Sequence, residues 1–323
     1  MTTSWFVGPS GVRFSRAIAI AAGSTGFLMY VLPNTVLTEK YKDITQLYRN
    51  GRPVQVSEDI KSLAEATMND MKWSKNKQNL IKIYTSYGFD LFHAGSFVLS
   101  AKGVLGIPKN FNYKDIKDFE HAGVLVNDEL VNWITPAGKA LEWSLVFSDE
   151  AKKFAIAREL SHLETGEPFG YGVFSASVIM TCYVISSTLN KRLDMFRRAR
   201  MLRVLMYAGV SLFSYATWIL CKDVSCVSTE SSVDETVANI NESYARGGLE
   251  FYEKILRRNI ALRSLMGQDG EDMFTAHGND QVLFRTKHMP YTTRRDFMKT
   301  RVEEYRKVAE EIFAVKPGGG EEA

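Results

Sequence analysis

The sequence has few residues of the kinds that bind metals or form disulfides. Its 323 residues include five histidines and three cysteines. Cys182 lies in an apolar run, while Cys221 and Cys226 have C-x4-C spacing without the second pair that a four-ligand zinc site needs. We therefore predict three free thiols and no disulfide framework. The net charge of +3 is also too small for the concentrated basic surface of a nucleic-acid-binding protein, so no nucleic acid is expected as a partner.

Charged residues are absent from three strongly apolar segments, 17–32, 168–190 and 204–221. A helix needs roughly 20 apolar residues to cross the hydrocarbon core of a bilayer. The second and third segments meet this length, and the first meets it if the helix continues across Pro33. A buried core helix is also apolar on all sides, but it is usually shorter. We therefore predict three membrane spans, of which the first covers residues 17–38 and the other two form a hairpin.

The distribution of positive charge predicts the orientation in the membrane. The loop 191–203 between the second and third segments carries six Lys/Arg and one Asp. Short basic loops remain on the cytoplasmic side, or on the matrix side in a mitochondrion, and a loop held between two spans is a poor nucleic-acid patch. The N-terminal segment 1–16 has Arg13 and Arg16 and no acidic residue, which is typical of mitochondrial targeting segments. We therefore predict a multi-pass protein of the mitochondrial inner membrane whose polar segments face the intermembrane space.

The two polar segments, 39–167 and 222–314, contain patterns of both helix and strand. Ser57 and Ser148 precede acidic first turns and are expected to be helix N-caps. Short runs rich in β-branched and aromatic residues lie between them and predict strands. The fold class is therefore an α+β membrane protein, in which the transmembrane hairpin 168–221 interrupts one polar domain. The predicted elements are helices over 57–72, 147–167, 232–267 and 297–314, strands within 80–87, 94–108 and 122–136, a close approach or kink at Gly247-Gly248, and a disordered tail over 315–323.

The segment 154–164, FAIARELSHLE, is close to the H-E-x-x-H helix that binds zinc in metallopeptidases. It follows the sequence FSDE and precedes the hairpin, and ESYAR follows the hairpin at 242–246. This order resembles the integral-membrane gluzincin-type zinc metallopeptidases, in which a later E-x-x-A-D motif supplies the third zinc ligand. The resemblance implies a zincin-like helical domain with a small sheet.

The same resemblance assigns a position to five residues, and two of them depart from the motif. His162 and Glu242 occupy two of the three ligand positions, and Glu159 occupies the general-base position. Arg158 replaces the first histidine ligand, and Arg246 replaces the aspartate of E-x-x-A-D. A catalytic zinc needs three protein ligands, and a guanidinium has no lone pair to offer. We therefore predict a pseudo-metallopeptidase without metal or cofactor, in which the Arg158 cation takes the place of the zinc and pairs with Glu242 or Glu159.

Two alternatives to this hypothesis stay open. The first is a solvated Arg/Glu/His face with no special role, because exposed ion pairs are common and weak. The second is an active or residual zinc peptidase in which another histidine supplies the missing ligand within about 2.0–2.1 Å of the metal. The candidates for that ligand are His93, His121, His277 and His288.

A second resemblance covers more of the chain. Residues 245–296 are very similar to the transmembrane protein 177 family of the mitochondrial inner membrane, and residues 150–159 are similar to the corresponding helix of that family. The hairpin also lies in the same place. This resemblance implies a non-enzymatic role that supports the biogenesis of cytochrome c oxidase subunit II, together with the membrane-embedded assembly chaperone of that subunit.

The segment 283–296 is a second candidate site, because basic and aromatic residues alternate in it. Such a segment can contact an acidic protein partner or anionic lipid headgroups such as cardiolipin, which would make the protein a lipid-binding membrane organiser. A structural loop whose basic side chains pair inside the domain is an equally good interpretation. The candidate contact residues are Arg285, Lys287, His288, Tyr291, Arg294 and Arg295.

Overall fold

The computed structural model describes residues 5–99, 102–121, 124–282 and 285–314. The predicted disordered tail at 315–323 lies outside these residues. The helices in the described part are α1 (Pro9–Val31), α2 (Thr38–Thr45), α3 (Glu58–Asp70), α4 (Lys75–Gln78), α5 (Pro136–Ser144), α6 (Asp149–His162), α7 (Glu167–Arg192), α8 (Arg200–Ala238), α9 (Glu242–Leu265), α10 (Gln268–Met273) and α11 (Tyr291–Ala314). The strands are β1 (Tyr48–Arg49), β2 (Arg52–Pro53), β3 (Ile81–Ser86), β4 (Phe92–Ser96), β5 (Lys102–Pro108), β6 (Leu125–Val126) and β7 (Glu129–Leu130).

Helices α1, α7 and α8 are long and apolar enough to cross a membrane. Helices α7 and α8 contain the second and third predicted apolar segments, and α1 contains residues 17–31 of the first, with boundaries that differ from those predicted. It begins at Pro9, a residue type that suits the first helical turn, and it ends at Val31, where Pro33 prevents its continuation. The predicted continuation of this helix to residue 38 is therefore wrong, because turns occupy 32–37.

Helix α8 is the element that joins the membrane to the polar domain. It has 39 residues, which is a length of roughly 58 Å at 1.5 Å per residue. The hydrocarbon core of a bilayer is only about 30 Å thick, so the C-terminal part of α8 extends beyond the apolar segment 204–221. The predicted single helix over 232–267 is accordingly two helices. Its first part is the end of α8, and its second part is α9, whose N-terminal turn is capped by the Asn241 side chain.

Close packing of α1 on α7 depends on small residues. A Cβ atom added to Gly26 would lie 2.8 Å from both Ile179 Cδ1 and Ser175 Oγ. Gly23 faces Met180 in the same interface, where an added Cβ would find ordinary contact distances. Small residues allow membrane helices to approach one another in this way.

The sheet of the polar domain has three strands in the order β3-β5-β4. Strand β5 pairs parallel with β3 and antiparallel with β4. The predicted strand region 94–108 is therefore two strands that pair with each other. Two short antiparallel ribbons, β1-β2 and β6-β7, complete the strands in the described part of the chain.

Helix α6 is the centre of the core and is buried on almost every side. Phe154, Ile156 and Leu160 have no exposed surface. One continuous apolar cluster includes α3, α6, the sheet, the end of α8, α9 and α11. The polar segments before and after the membrane hairpin therefore share a single core. The two serines predicted as N-caps, Ser57 and Ser148, accept the expected hydrogen bonds from backbone N–H groups of α3 and α6.

The crossing of α6 and α9 requires glycine at two consecutive positions of α9. A Cβ atom added to Gly247 would lie 2.2 Å from the carbonyl oxygen of Glu150. One added to Gly248 would lie 2.7 Å from the ring of Phe154 and 2.8 Å from Met298 Sδ. The predicted close approach at this pair is confirmed.

We expect Gly247→Ala to destabilise the protein by about 1–3 kcal/mol, the usual cost of forcing an extra methyl group into a packed interior. The backbone of α6 cannot move away from this position without disturbing the core. Gly209→Ala is the matched control, because nothing lies within 4 Å of a Cβ atom added there. Thermal unfolding in detergent should give a lower Tm for Gly247→Ala alone, and an equal Tm for the two variants would contradict this account of the interface.

Candidate functional site

A network of buried charged residues joins α6, α8, α9 and α11. Its central member is Asp234 of α8, whose side chain is 1% exposed. Arg294 donates two hydrogen bonds to this carboxylate, from Nε to Oδ2 at 2.6 Å and from Nη2 to Oδ1 at 2.8 Å. The hydroxyl of Tyr252 donates a third to Oδ1 at 2.7 Å, and Arg158 Nε lies 3.8 Å from the same oxygen. The carboxylate thus accepts hydrogen bonds from Arg294 and Tyr252, and Arg158 is a second cation near it; the three residues come from three other helices.

The H-E-x-x-H-like residues of α6 continue this network toward the sheet. Arg158 Nη1 donates to Glu159 Oε1 at 3.0 Å, and Glu159 Oε2 lies 2.5 Å from Nδ1 of His93 on β4. The His93 ring stacks on the His162 ring, with centroids 5.0 Å apart and planes 7° from parallel. The interpretation of these residues as a solvated face is therefore wrong, because Glu159 and His162 are buried.

The electrostatics of the site keep Glu159 charged and His162 neutral. Burial alone would raise the pKa of Glu159, but the Arg158 cation and the contact with His93 outweigh it and lower this pKa to about 2. Burial, together with the neighbouring His93, lowers the pKa of His162 to about 3. Burial opposes the charge of Arg158, but the oxygens of Tyr252, Glu159 and Asp234 raise its pKa further. A general base works best with a pKa near the working pH, and the pKa of Glu159 lies far below that range.

The residues of the zincin-like pattern do not fit a catalytic zinc ion. Glu242 has a side chain that is 46% exposed and lies 3.7 Å from Arg246, which also pairs with Glu150. Of the two acidic partners predicted for Arg158, Glu159 is confirmed and Glu242 is not, and Asp234 is a further acidic neighbour of the guanidinium. His162 Nδ1 is buried without a hydrogen bond among the described residues, but it is one donor where three are needed.

Among the alternative histidine ligands, only His93 lies beside His162 in the described part of the chain. The lone pair of an imidazole nitrogen lies in the ring plane, and two parallel planes do not meet at one ion. His121 pairs instead with Glu142 at 2.8 Å, and His277 is exposed. His288 lies at the other end of the network, beside Glu230. A substitute histidine in tetrahedral geometry is thus not assembled at His162.

The basic segment 285–294 pairs with one face of α8. Arg285 donates two hydrogen bonds to Asp223, at 2.7 and 2.9 Å. His288 Nδ1 lies 3.0 Å from Glu230 Oε1, and the third pair in this order is Arg294 with Asp234. The acidic residues at 223, 230 and 234 are spaced by seven and four positions, so they share one helix face.

These pairings leave few of the candidate contact residues of segment 283–296 available to a partner. Tyr291 packs against the core, with its ring 6.3 Å from that of Tyr252. Arg295 donates to the neighbouring Asp296. Lys287 is exposed, and no acidic side chain in the described part of the chain pairs with it. A contact of Lys287 and Arg295 with a lipid headgroup or a protein partner stays a prediction.

Sequence reasoning missed three members of the network, Asp234, Glu230 and Tyr252. A signal for the first two was present. Both are acidic residues on the same face of α8 as the buried Val233 and Val237, and an acid beside an apolar stripe needs a cationic partner. No signal in the sequence identifies which arginine that partner is.

A protein-family model described as "Transmembrane protein 177" matches residues 110–314. The chain belongs to the transmembrane protein 177 family. Transmembrane protein 177 of Danio rerio is 34% identical over 264 residues, which cover 79% of this chain and 83% of that protein. The Homo sapiens protein of the same name is 32% identical over 269 residues, covering 83% and 84%. The Mus musculus protein is 31% identical over 291 residues, covering 89% and 91%. No solved structure matches the chain.

Membership of the transmembrane protein 177 family agrees with the three long apolar helices. This chain is a membrane protein of mixed helices and small sheets. The matched region includes α6, the membrane hairpin, α8, α9 and α11, and so covers nearly all of the buried network. His93 of β4 is the member that lies before it.

We expect Asp234→Asn to destabilise this member of the transmembrane protein 177 family by about 3–5 kcal/mol, the usual cost of removing one partner from a buried ion pair. The Arg294 guanidinium would stay buried without a full counter-charge. Asp59→Asn is the matched control, because Asp59 pairs with Lys114 on the surface at 2.5 Å with both side chains largely exposed, and it should change little. The measurement is denaturant unfolding in detergent, and similar losses in both variants would show that burial of the pair is unimportant.

Proposed function

We propose that this protein is a non-catalytic factor of the mitochondrial inner membrane that supports the biogenesis of cytochrome c oxidase subunit II. In this role it stabilises the complex of that subunit with its membrane assembly chaperone. The observation that carries the non-catalytic part is the position of Arg158. It occupies the first ligand position of the zincin-like helix and is held there by Glu159 and Asp234.

The chemistry of that position favours a structural role over hydrolysis. The Arg158 cation repels a divalent metal ion, and Glu159 is committed to Arg158 and His93 rather than poised to activate water. In the same pattern, Glu242 is exposed on the surface. The elements of a peptidase-like helix are thus used to hold four helices together, which suits a protein that acts by binding.

The proposed location rests on the positive charges at the matrix-facing ends of the spans. The segment 1–16 is basic and free of acids, and the loop 191–203 carries six Lys/Arg. In the described structure the loop residues between α7 and α8 are largely exposed, as are the first residues of α8. Exposed arginines next to apolar helices suit the matrix side of the membrane, which leaves the polar domain in the intermembrane space.

This orientation predicts that protease added to mitoplasts digests the polar domain. Removal of the outer membrane exposes the intermembrane space but leaves the matrix sealed. An epitope placed after residue 314 should disappear, while one placed in the loop 191–203 should survive until detergent is added. Protection of the C-terminal epitope in intact mitoplasts would put the polar domain in the matrix and refute the orientation.

The proposed role predicts that newly made subunit II and its assembly chaperone co-purify with the tagged protein from digitonin-solubilised mitochondria. Asp234→Asn leaves the spans intact but loosens the polar domain, and we expect it to lower the recovery of both partners several-fold at equal expression. Asp59→Asn should recover them as the native chain does.

Two results, one from this experiment and one from a peptidase assay, would count against the proposal. The first is the absence of subunit II and its chaperone from the native purification. The second is zinc-dependent cleavage of a peptide substrate by the purified native chain that is lost in Glu159→Gln, because it would assign Glu159 the general-base role.

A further inference from the structure

Three side chains with metal-binding atoms meet where α8 leaves the apolar segment. Cys226 and Glu230 are four residues apart on α8, so they lie on one face, and His288 approaches them from the segment before α11. The Cys226 Sγ atom is 3.6 Å from His288 Nδ1, and Glu230 Oε1 is 3.0 Å from the same nitrogen. One ligand atom from each residue lies within 4.8 Å of the others.

We propose that Cys226, Glu230 and His288 form a binding site for a single zinc ion, which links α8 to the segment preceding α11. The thiolate, imidazole and carboxylate are the three ligand types that zinc uses in proteins, with bonds of about 2.3 Å to sulfur and about 2.0–2.1 Å to nitrogen. Tetrahedral angles at those lengths separate the sulfur and nitrogen by about 3.6 Å, which is the separation in the structure.

Glu230 could bind the zinc ion without changing its side-chain rotamer. Tetrahedral zinc separates nitrogen and oxygen ligands by about 3.4 Å, so His288 Nδ1 and Glu230 Oε1 must move apart by a few tenths of an ångström. Oε2 of Glu230 accepts a hydrogen bond from the Met289 N–H at 2.7 Å. This bond orients the carboxylate and leaves Oε1 directed at His288, as the outer partners of metal ligands do.

The surroundings of the three residues permit access and leave a fourth position. The side chain of His288 is 59% exposed, so an ion can enter from solvent. The Arg294 guanidinium lies 3.7 Å from Glu230 Oε1, but its charge is already balanced by two hydrogen bonds to Asp234. With three protein ligands, water completes the tetrahedron.

This site is separate from the zincin-like helix and has a different consequence. None of its three ligands lies on α6, and neither Arg158 nor His162 takes part in it. A metal ion here would join two segments that are 58 residues or more apart in sequence, Glu230 and His288. Binding of a metal to the folded state alone stabilises that state, so zinc should strengthen the attachment of the polar domain to its membrane helix.

The test is zinc titration of the full chain, purified in detergent under a thiol-free reductant with an affinity tag that contains no histidine. Competition with a chromophoric chelator gives the affinity, and elemental analysis gives the stoichiometry. Cobalt(II) serves as a spectroscopic probe, because a thiolate ligand adds a charge-transfer band. We expect one equivalent of zinc in the native chain and a loss of affinity of at least about 100-fold in Cys226→Ala and His288→Ala, since even outer-shell changes cost about 10–100-fold.

Matched controls are present in the chain. Cys221 is an exposed free thiol five residues earlier on α8, and His277 is an exposed histidine. Cys221→Ala and His277→Ala should keep the native affinity and the cobalt band, and Glu230→Gln should weaken binding while keeping that band. Circular dichroism of each variant without metal shows whether its helices have formed.

The inference is overturned if the native chain binds no stoichiometric zinc, if Cys226→Ala binds it as tightly as the native chain, or if the two control variants lose it equally. Zinc that is lost in His162→Ala but kept in Cys226→Ala would also overturn it, and would refute the non-catalytic proposal as well. Zinc that depends on Cys226 and His288 supports the new site whether or not subunit II co-purifies, so the two proposals fail separately.

Discussion

The buried carboxylate of Asp234 is the constraint on which the polar domain depends. A charge with 1% of its side chain exposed is costly unless it is paired and hydrogen-bonded. Arg294 of α11 and Tyr252 of α9 donate hydrogen bonds to it, and the Arg158 cation of α6 lies nearby. Movement of α11 would separate the buried Arg294–Asp234 pair, and movement of α9 would remove the hydrogen bond that Tyr252 donates to the same carboxylate. Because Asp234 lies on the extension of a membrane helix, the same interaction attaches the polar domain to the bilayer.

The order of pairs along α8 extends this attachment over about three helical turns. Asp223 pairs with Arg285, Glu230 with His288, and Asp234 with Arg294. The residue numbers increase in the same order on both sides of these pairs, so the segment before α11 runs along one face of α8 in the same direction. The basic segment 285–294, which in the sequence resembles a ligand-binding surface, is thus largely paired with acidic side chains of α8. Lys287 remains exposed without an acidic partner in the described part of the chain, while His288 and Arg295 are paired with acids but keep part of their side chains exposed.

Features that depend on neighbours in sequence were predictable, and those that depend on distant partners were not. The apolar segments and the serine caps at Ser57 and Ser148 follow from local rules and appear as predicted. The Gly247-Gly248 pair also predicted a close approach of two chain segments, but it did not identify α6 as the partner. The end of α8 was misjudged, because the apolar pattern stops at residue 221 while the helix continues on polar residues held by tertiary pairs. Likewise, Glu242 matched a motif by spacing, yet its helix turns it to the surface.

The surroundings of Arg158 on α6 and of Cys226 on α8 differ in whether they could bind a metal ion. On α6, a cation occupies the place that a ligand would need, and the surrounding oxygens of Asp234 and Glu159 serve to neutralise it. On α8, Glu230 keeps one carboxylate oxygen directed at His288 while its other oxygen accepts a hydrogen bond from a backbone N–H. Around Arg158 the carboxylates stabilise the fold, because a guanidinium is always protonated and keeps them paired. The arrangement on α8 retains a carboxylate, a thiol and an imidazole whose protons a metal ion displaces on binding. The residues of α6 do not fit zinc, whereas the proposed site of Cys226, Glu230 and His288 offers a donor set for it where the membrane helix meets the polar domain.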